Sequence, residues 1–316
     1  MKGFRVVDAA LEATVVGSFS RIGYAVRSRL QPWPQPPALD GLRVLLTGGT
    51  SGVGLAAARA LATAGASVAI TGRSQDRLDA AVADIAGAGK RPVGLSADSA
   101  DLDAVRTMFD HVVATLGGLD VVINNAGALT HDYTLSAQGF EETYAVHVLA
   151  PFLLTELAIP TIGPSGRVLT VTSGGMYSQS LTPELQMARE DFDGVIAYAK
   201  AKRAQVALNQ EWARRHPDGP TFAAMHPGWA DTPGVRTSLP TFRRVTGPIL
   251  RSSAQGADTL VWLAWAEVPS GRLWLDRHER SVLHVPGTRH DPHDAATLFD
   301  TVATQVADAT AGSTRP

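Results

Sequence analysis

Hydrophobic and polar positions change their period repeatedly along this chain, and from Gly41 onward they do so in a regular order. Short β-branched runs (RVLLTG, SVAITG, RPVGLS, LDVVIN, GRVLTVT, PTFAAMH and GRLWL) alternate with alanine- and leucine-rich stretches long enough for crossover helices. This predicts seven strands in a parallel, doubly wound α/β sheet with helices on both faces, forming one domain. In such a sheet the ligand lies beyond the carboxyl ends of the strands, where the strand order reverses.

Residues 1–38 read differently. Phe4, Val7, Leu11, Val15, Phe19, Ile22 and Val26 recur as a helical apolar stripe that ends before the breaker run QPWPQPP. Charges at Arg5, Asp8, Glu12 and Arg21 interrupt it, so it reaches neither the roughly 18 apolar residues of a bilayer span nor the core of a signal peptide. The segment is expected to pack on its own domain or on a second subunit. The alternative is a membrane-surface helix helped by Arg27 and Arg29. The chain divides into an amphipathic extension with a proline-rich linker (1–38), a nucleotide-binding domain (39–290) and a helical tail (291–316).

Composition narrows the functional classes. Of 316 residues 45% are hydrophobic and 18% charged, enough for a large core and against general disorder. The net charge of -2, with no basic run, gives no reason to expect nucleic acid. Cysteine is absent, which removes disulfides, thiol nucleophiles and cysteine metal sites and agrees with a cytoplasmic setting. The histidines at 278, 284, 290 and 293 match no common ligand spacing, so no metal is expected.

The chemistry begins where the first strand enters TGGTSGVGLAAARALATAGA. Gly48, Gly52 and Gly54 fall at the turn and the start of a helix, where missing side chains and a helix amino terminus suit a pyrophosphate. With NNAG at Asn124–Gly127, a serine in TVTSGG, a Tyr-x-x-x-Lys pair and HPGWADT, the chain resembles the short-chain dehydrogenase/reductase family over roughly residues 40–285. Within it, the strings TSGGM, HPGWADTPGVR and AQGADT resemble the branch called dehydrogenase/reductase member 12.

The resemblance implies a Rossmann-type fold and an oxidoreductase moving a hydride between a nicotinamide cofactor and a small carbonyl or alcohol. Cofactor contacts are expected from Thr47, Gly48, Thr50, Ser51, Gly52, Val53, Gly54, Arg73, Asp98, Ser99, Asn125, Ala126, Gly127, Pro227, Gly228 and Thr232, and from Tyr198 and Lys202. Gly72 stands where an acidic residue would bind the ribose 2'-hydroxyl, and Arg73 follows it, so NADP is favoured over NAD.

Two lysines follow Tyr198. A four-residue helical step returns to the same face and a two-residue step lands opposite, so Lys202 rather than Lys200 accompanies the tyrosine and is expected to lower its pKa. Ser173, at the end of the fifth strand, is expected to fix the substrate oxygen, with Thr172 as the rival. The 24 residues between Ser173 and Tyr198 are expected to line the substrate pocket, with Gly174, Met176, Tyr177 and Trp229 on its walls. The segment from Trp229 to about Arg251 resembles a substrate cover.

His147 aligns with a position usually held by an asparagine that holds a relay water. Imidazole titrates near neutral pH, so a relay is expected to survive, with a relay rerouted through waters as the alternative. Two alternatives stay open: a catalytically impaired nucleotide-binding scaffold, and a membrane-associated lipid- or retinoid-type reductase touching the surface through residues 1–30. The family resemblance also implies a homo-dimer or tetramer.

Overall fold

The computed structural model describes residues 2–283, 288 and 292–311. Its sheet contains β1 (Arg43–Leu46), β2 (Ser67–Gly72), β3 (Val93–Ser96), β4 (Val121–Asn124), β5 (Arg167–Val171), β6 (Thr221–Met225), β7 (Arg272–Leu275) and β8 (His278–Arg280). The order is β3-β2-β1-β4-β5-β6-β7-β8, parallel except for the last pair. The order reverses between β1 and β4, and the glycine turn lies there as expected of a doubly wound sheet. β8 is an eighth strand beyond the expected seven. Its three residues, His-Glu-Arg, carry no apolar alternation by which a strand could be read.

Helices cover both faces. On the extension they are α1 (Lys2–Glu12), α2 (Val15–Phe19) and α3 (Arg21–Leu30). The crossovers are α4 (Gly52–Thr63), α5 (Gln75–Ala86), α6 (Leu102–Leu116), α7 (Glu142–Tyr144) running through a π turn into α8 (Ala150–Ile162), and α9 (Gly194–Arg215). After β6 come α10 (Pro233–Ser238), α11 (Pro240–Thr246) and α12 (Ser253–Leu263), and α13 (Pro292–Ala311) closes the chain. α4, α5 and α12 cover one face, while α6, α8, α9 and α13 cover the other, where Phe152, Trp212 and Phe299 meet. Glu142–Ile162 is long and apolar enough to cross a membrane, but most of it is buried in this core.

The extension is three helices rather than one. Thr14 accepts from Gly17 N and Ser20 from Ile22 N, and each starts a new helix by capping it. The apolar stripe is therefore split: Phe19 is 4% exposed, whereas Val15, Val16 and Ile22 face outward. Arg27, which the membrane-surface alternative set beside the apolar stripe, is fully buried. It binds Asp8, Glu12 and Asp276 at 2.6–2.7 Å.

Asp276 is the centre of this contact. Arg251 holds both of its carboxylate oxygens at 2.6 and 2.8 Å, and the same arginine donates to the carbonyls of Ser18, Phe19 and Ser20. Asp276 and Arg277, the β7–β8 turn, both adopt positive φ (53° and 59°), a strained region for residues with side chains. Ion pairs offset that strain: Arg277 is fixed by Asp258 at 2.8 Å and donates to the Pro34 carbonyl.

Removing one partner of a buried ion pair leaves the others uncompensated. Asp276→Ala is therefore expected to cost about 3–5 kcal/mol, read from urea unfolding. It should also expose the linker at 31–38 to limited proteolysis well before the sheet domain is cut, whereas uniform digestion would show that the extension docks without this carboxylate.

Candidate active site

The glycine turn is tied to the neighbouring strand from below. Thr47 Oγ1 accepts from the backbone of Asn125 and Ala126 at 3.1 Å, and Asn125 Nδ2 donates back to the carbonyls of Thr47 and Gly48. Gly48 and Gly52 take positive φ (70° and 57°). A Cβ on Gly54 would lie 2.3 Å from the Gly48 carbonyl, so backbone fills the space a side chain would need. Ser51, at the amino end of α4, makes no side-chain cap, which leaves the first N–H groups of that helix to an anion. These features fit a dinucleotide phosphate. Val53 points into the core under the turn, and Thr50 packs on Gly72.

The other expected contacts gather around this turn unevenly. Thr232 lies against Gly52 and caps α10, and Ser238 ties α10 to the Leu129 carbonyl after β4, so the segment after HPGWADT forms helical cover over the crevice. Asp98 is exposed and accepts from Ala100 N, with Ser99 beside it past the end of β3. Arg73, also exposed, pairs with Glu142 at 3.2 Å.

Ser173 and Tyr198 meet beyond the end of β5. Burial raises the phenol pKa and a hydrogen bond with Ser173 opposes it. Thr172 is occupied elsewhere, donating to the Lys202 carbonyl at 2.7 Å. Lys202 is 3% exposed with its Nζ 5.5 Å from the Tyr198 ring centre, and Lys200 has no such contact among the described residues. The lysine was expected to lower the tyrosine pKa. Burial pulls Lys202 itself down to about 7, so its pull on the phenol depends on the hydrogen bonds that hold its ammonium form, and Ser173 adds a pull of its own.

His147 sits in the π turn Ala145–Leu149, its ring edge-on to Tyr198 at 5.2 Å. Nε2 faces the Ala128 carbonyl at 2.9 Å, which makes Nε2 the protonated nitrogen. A titrating imidazole was expected, but burial and the nearby Lys202 push its pKa down to about 3, so it stays neutral throughout the physiological range.

Two expected wall residues lie behind the wall. Met176 and Tyr177 are buried with Phe19 against β6 and β7, and the Tyr177 hydroxyl donates to the Ser281 carbonyl. Buried Leu181 and Leu185 also return part of the insertion to the core. Phe19, itself buried, lies directly behind Gly174: its ring contacts that glycine, where a Cβ would lie 2.6 Å away, and its carbonyl accepts from Trp229 N at 2.8 Å. Pro227 and Gly228 form the bend behind it, with Gly228 at φ 69°. The sequence marked Phe19 only as one apolar position in a stripe. Among the described residues no cluster could hold a metal, and His284 and His290 lie outside them.

The family model for short chain dehydrogenases matches residues 43–241. The chain belongs to the short-chain dehydrogenase family. It is 38% identical to dehydrogenase/reductase SDR family member 12 from Bos taurus, covering 89% of this chain and 91% of that one. It is also 38% identical to a protein from Streptomyces sp. (strain C5) named for daunorubicin C-13 ketoreduction, covering 85% and 94%. A Burkholderia cenocepacia short chain dehydrogenase solved with NADP superposes with a TM-score of 0.60 at 32% identity, covering 72% of this chain and 91% of that one. This short-chain dehydrogenase is therefore a nicotinamide-dependent oxidoreductase, and the likeness to member 12 extends over most of its length.

His147 and His226 are both buried and both held neutral, with folded pKa values near 3 against an unfolded value near 6.5. Each depressed pKa contributes stability that is complete above pH 6.5 and lost as the pH falls toward 3, with a slope approaching about 1.4 kcal/mol per pH unit per histidine. Urea midpoints measured from pH 7 to pH 4 should fall accordingly. His147→Asn should reduce that slope, and an unchanged slope would place the acid sensitivity elsewhere.

Proposed function

We propose that this short-chain dehydrogenase reduces a carbonyl, or oxidises the corresponding alcohol, with NADP(H), using Tyr198 as acid/base. The observation that carries this reading is the convergence of Ser173, Tyr198 and Lys202 at the carboxyl end of β5, with Lys202 Nζ 5.5 Å from the phenol ring. A bound nicotinamide supplies or accepts the hydride. Ser173 orients the substrate oxygen, Tyr198 gives it a proton in reduction and takes one in oxidation, and Lys202 would hold the ribose and support the phenolate. Thr47, Asn125 and the glycine turn would hold the diphosphate end, with Thr232 beside it. The name of the Streptomyces relative agrees with a ketone as substrate.

NADP over NAD is supported by the end of β2, where Gly72 brings no carboxylate to repel a 2'-phosphate. Arg73 must leave Glu142 to engage that phosphate. Because the pair is exposed, the exchange costs little.

Tyr198→Phe should abolish turnover of any carbonyl the wild type accepts. Lys202→Ala should lower both turnover and NADPH affinity, while Lys200→Ala should stay within roughly 0.5 kcal/mol of wild type. Steady-state kinetics with NADPH titration decides this, and full activity in Tyr198→Phe would overturn the mechanism.

Gly72→Asp tests the cofactor. The new Cβ would press on the Thr50 methyl, which can rotate away, and the carboxylate would oppose a 2'-phosphate while accepting from a 2'-hydroxyl. NADPH affinity should fall and NADH use rise. Titration of both cofactors with both proteins reads this, and an unaltered preference would remove Gly72 from the argument.

A further inference from the structure

Behind the lysine lies a side chain that neither the sequence motifs nor the mechanism above employs. Gln205 follows Lys202 by three residues on α9 and is 4% exposed. Its Oε1 accepts from Lys202 Nζ at 3.1 Å, and its Nε2 donates to the carbonyl of His147 at 2.9 Å. Lys202 Nζ also donates to the Val171 carbonyl at 2.9 Å, so the ammonium is held between β5 and the π turn.

The orientation of this amide is not free. Residue 151 is a proline and cannot offer an N–H, so the His147 carbonyl lacks its ordinary donor four residues on. Gln205 Nε2 supplies a donor. Flipping the amide would set carbonyl against carbonyl at His147 and N–H against ammonium at Lys202, and both contacts would become repulsive. Beneath it lies a cavity with about 20 Å³ of space, room for one water, where Gln205, Asn124, Thr155 and Asn209 meet apolar side chains such as Phe152 and Leu208. Asn124 Oδ1 and Asn209 Nδ2 are buried there without hydrogen-bond partners.

We propose that Gln205 is a positioning residue of the Tyr198–Lys202 pair, fixing the lysine head group through Oε1 and favouring its ammonium form. The proposal rests on Tyr198 being the acid/base. The expected link between lysine and position 147 was a water, and here a side chain makes that link directly.

The groups facing the ammonium make its charge depend on such support. Tyr198 on the same helix and His147 on the π turn are the titratable neighbours, and the imidazole is neutral. β5 offers the Val171 carbonyl, and among the described residues no carboxylate acts on the lysine. Burial pulls Lys202 toward its neutral form, so each acceptor on Nζ favours the ammonium.

Gln205→Met keeps the volume and removes both the acceptor and the donor. Two readouts require no known substrate: NADPH affinity at about pH 7 from fluorescence titration, and the pH above which that affinity falls as the Lys202 ammonium is lost. In Gln205→Met NADPH should bind about tenfold more weakly at about pH 7, and the fall should begin about 1 pH unit lower. Gln205→Glu, which keeps an oxygen for Nζ, should recover most of that affinity. A folded Gln205→Met with both readouts at wild-type values would overturn the proposal. If Gln205→Met does not fold, Gln205→Glu decides: near-wild-type affinity supports the role, and a loss equal to that of Lys202→Ala overturns it. Failure of the acid/base reading would appear separately, as turnover surviving Tyr198→Phe.

Discussion

One buried carboxylate holds the amino-terminal segment, the last hairpin and the rim of the candidate active site together. Asp276 receives Arg251 on both oxygens and Arg27 on one, at 2.6–2.8 Å with almost no exposure. A charge so placed is tolerated only because it is paired and hydrogen-bonded. The pairing in turn sets the neighbouring geometry. It fixes the two positive-φ residues of the β7–β8 turn, brings Arg251 under the carbonyls of Ser18, Phe19 and Ser20, and so holds Phe19 against Gly174 and Trp229. The extension is thereby part of the wall beside Ser173, not an appendage to the nucleotide-binding domain.

Burial also governs the chemistry, and it acts in one direction throughout. It raises Tyr198, pulls Lys202 down and holds His147 and His226 neutral, so each group is pushed toward its uncharged form. What opposes this is a set of neutral dipoles: the Ser173 hydroxyl on the tyrosine, and the Val171 carbonyl and Gln205 amide on the lysine. Among the described residues no carboxylate acts on either group. The proton inventory of the pair is therefore controlled by hydrogen bonds that small displacements can make or break.

The sheet and the glycine turn were legible because each follows from local pattern: β-branched runs, Gly48, Gly52 and Gly54 at a strand-to-helix junction, and Tyr198 and Lys202 one helical turn apart. What escaped depended on contacts between distant segments. Arg27 reads as a basic residue beside an apolar stripe, yet its partner Asp276 lies 249 positions away. β8 is three polar residues that become a strand only because β7 pairs with them. Met176 and Tyr177 follow Ser173 by three and four residues, but a short 3-10 turn sends their side chains inward. Gln205 carries no motif, because its meaning comes from a carbonyl on another helix.

That carbonyl also accounts for the departure at position 147. A Cβ on Gly127 would lie 2.1 Å from the His147 ring, so the imidazole fits because residue 127 is a glycine. The ring is engaged by Ala128 on one nitrogen and stays neutral. The link toward Lys202 leaves from the backbone oxygen instead, made available by the proline at 151 and taken up by Gln205. A contact made by the main chain does not require a particular side chain. An asparagine can therefore give way to a histidine here, provided the π turn presents the same carbonyl and the strand end opposite leaves room for the larger ring.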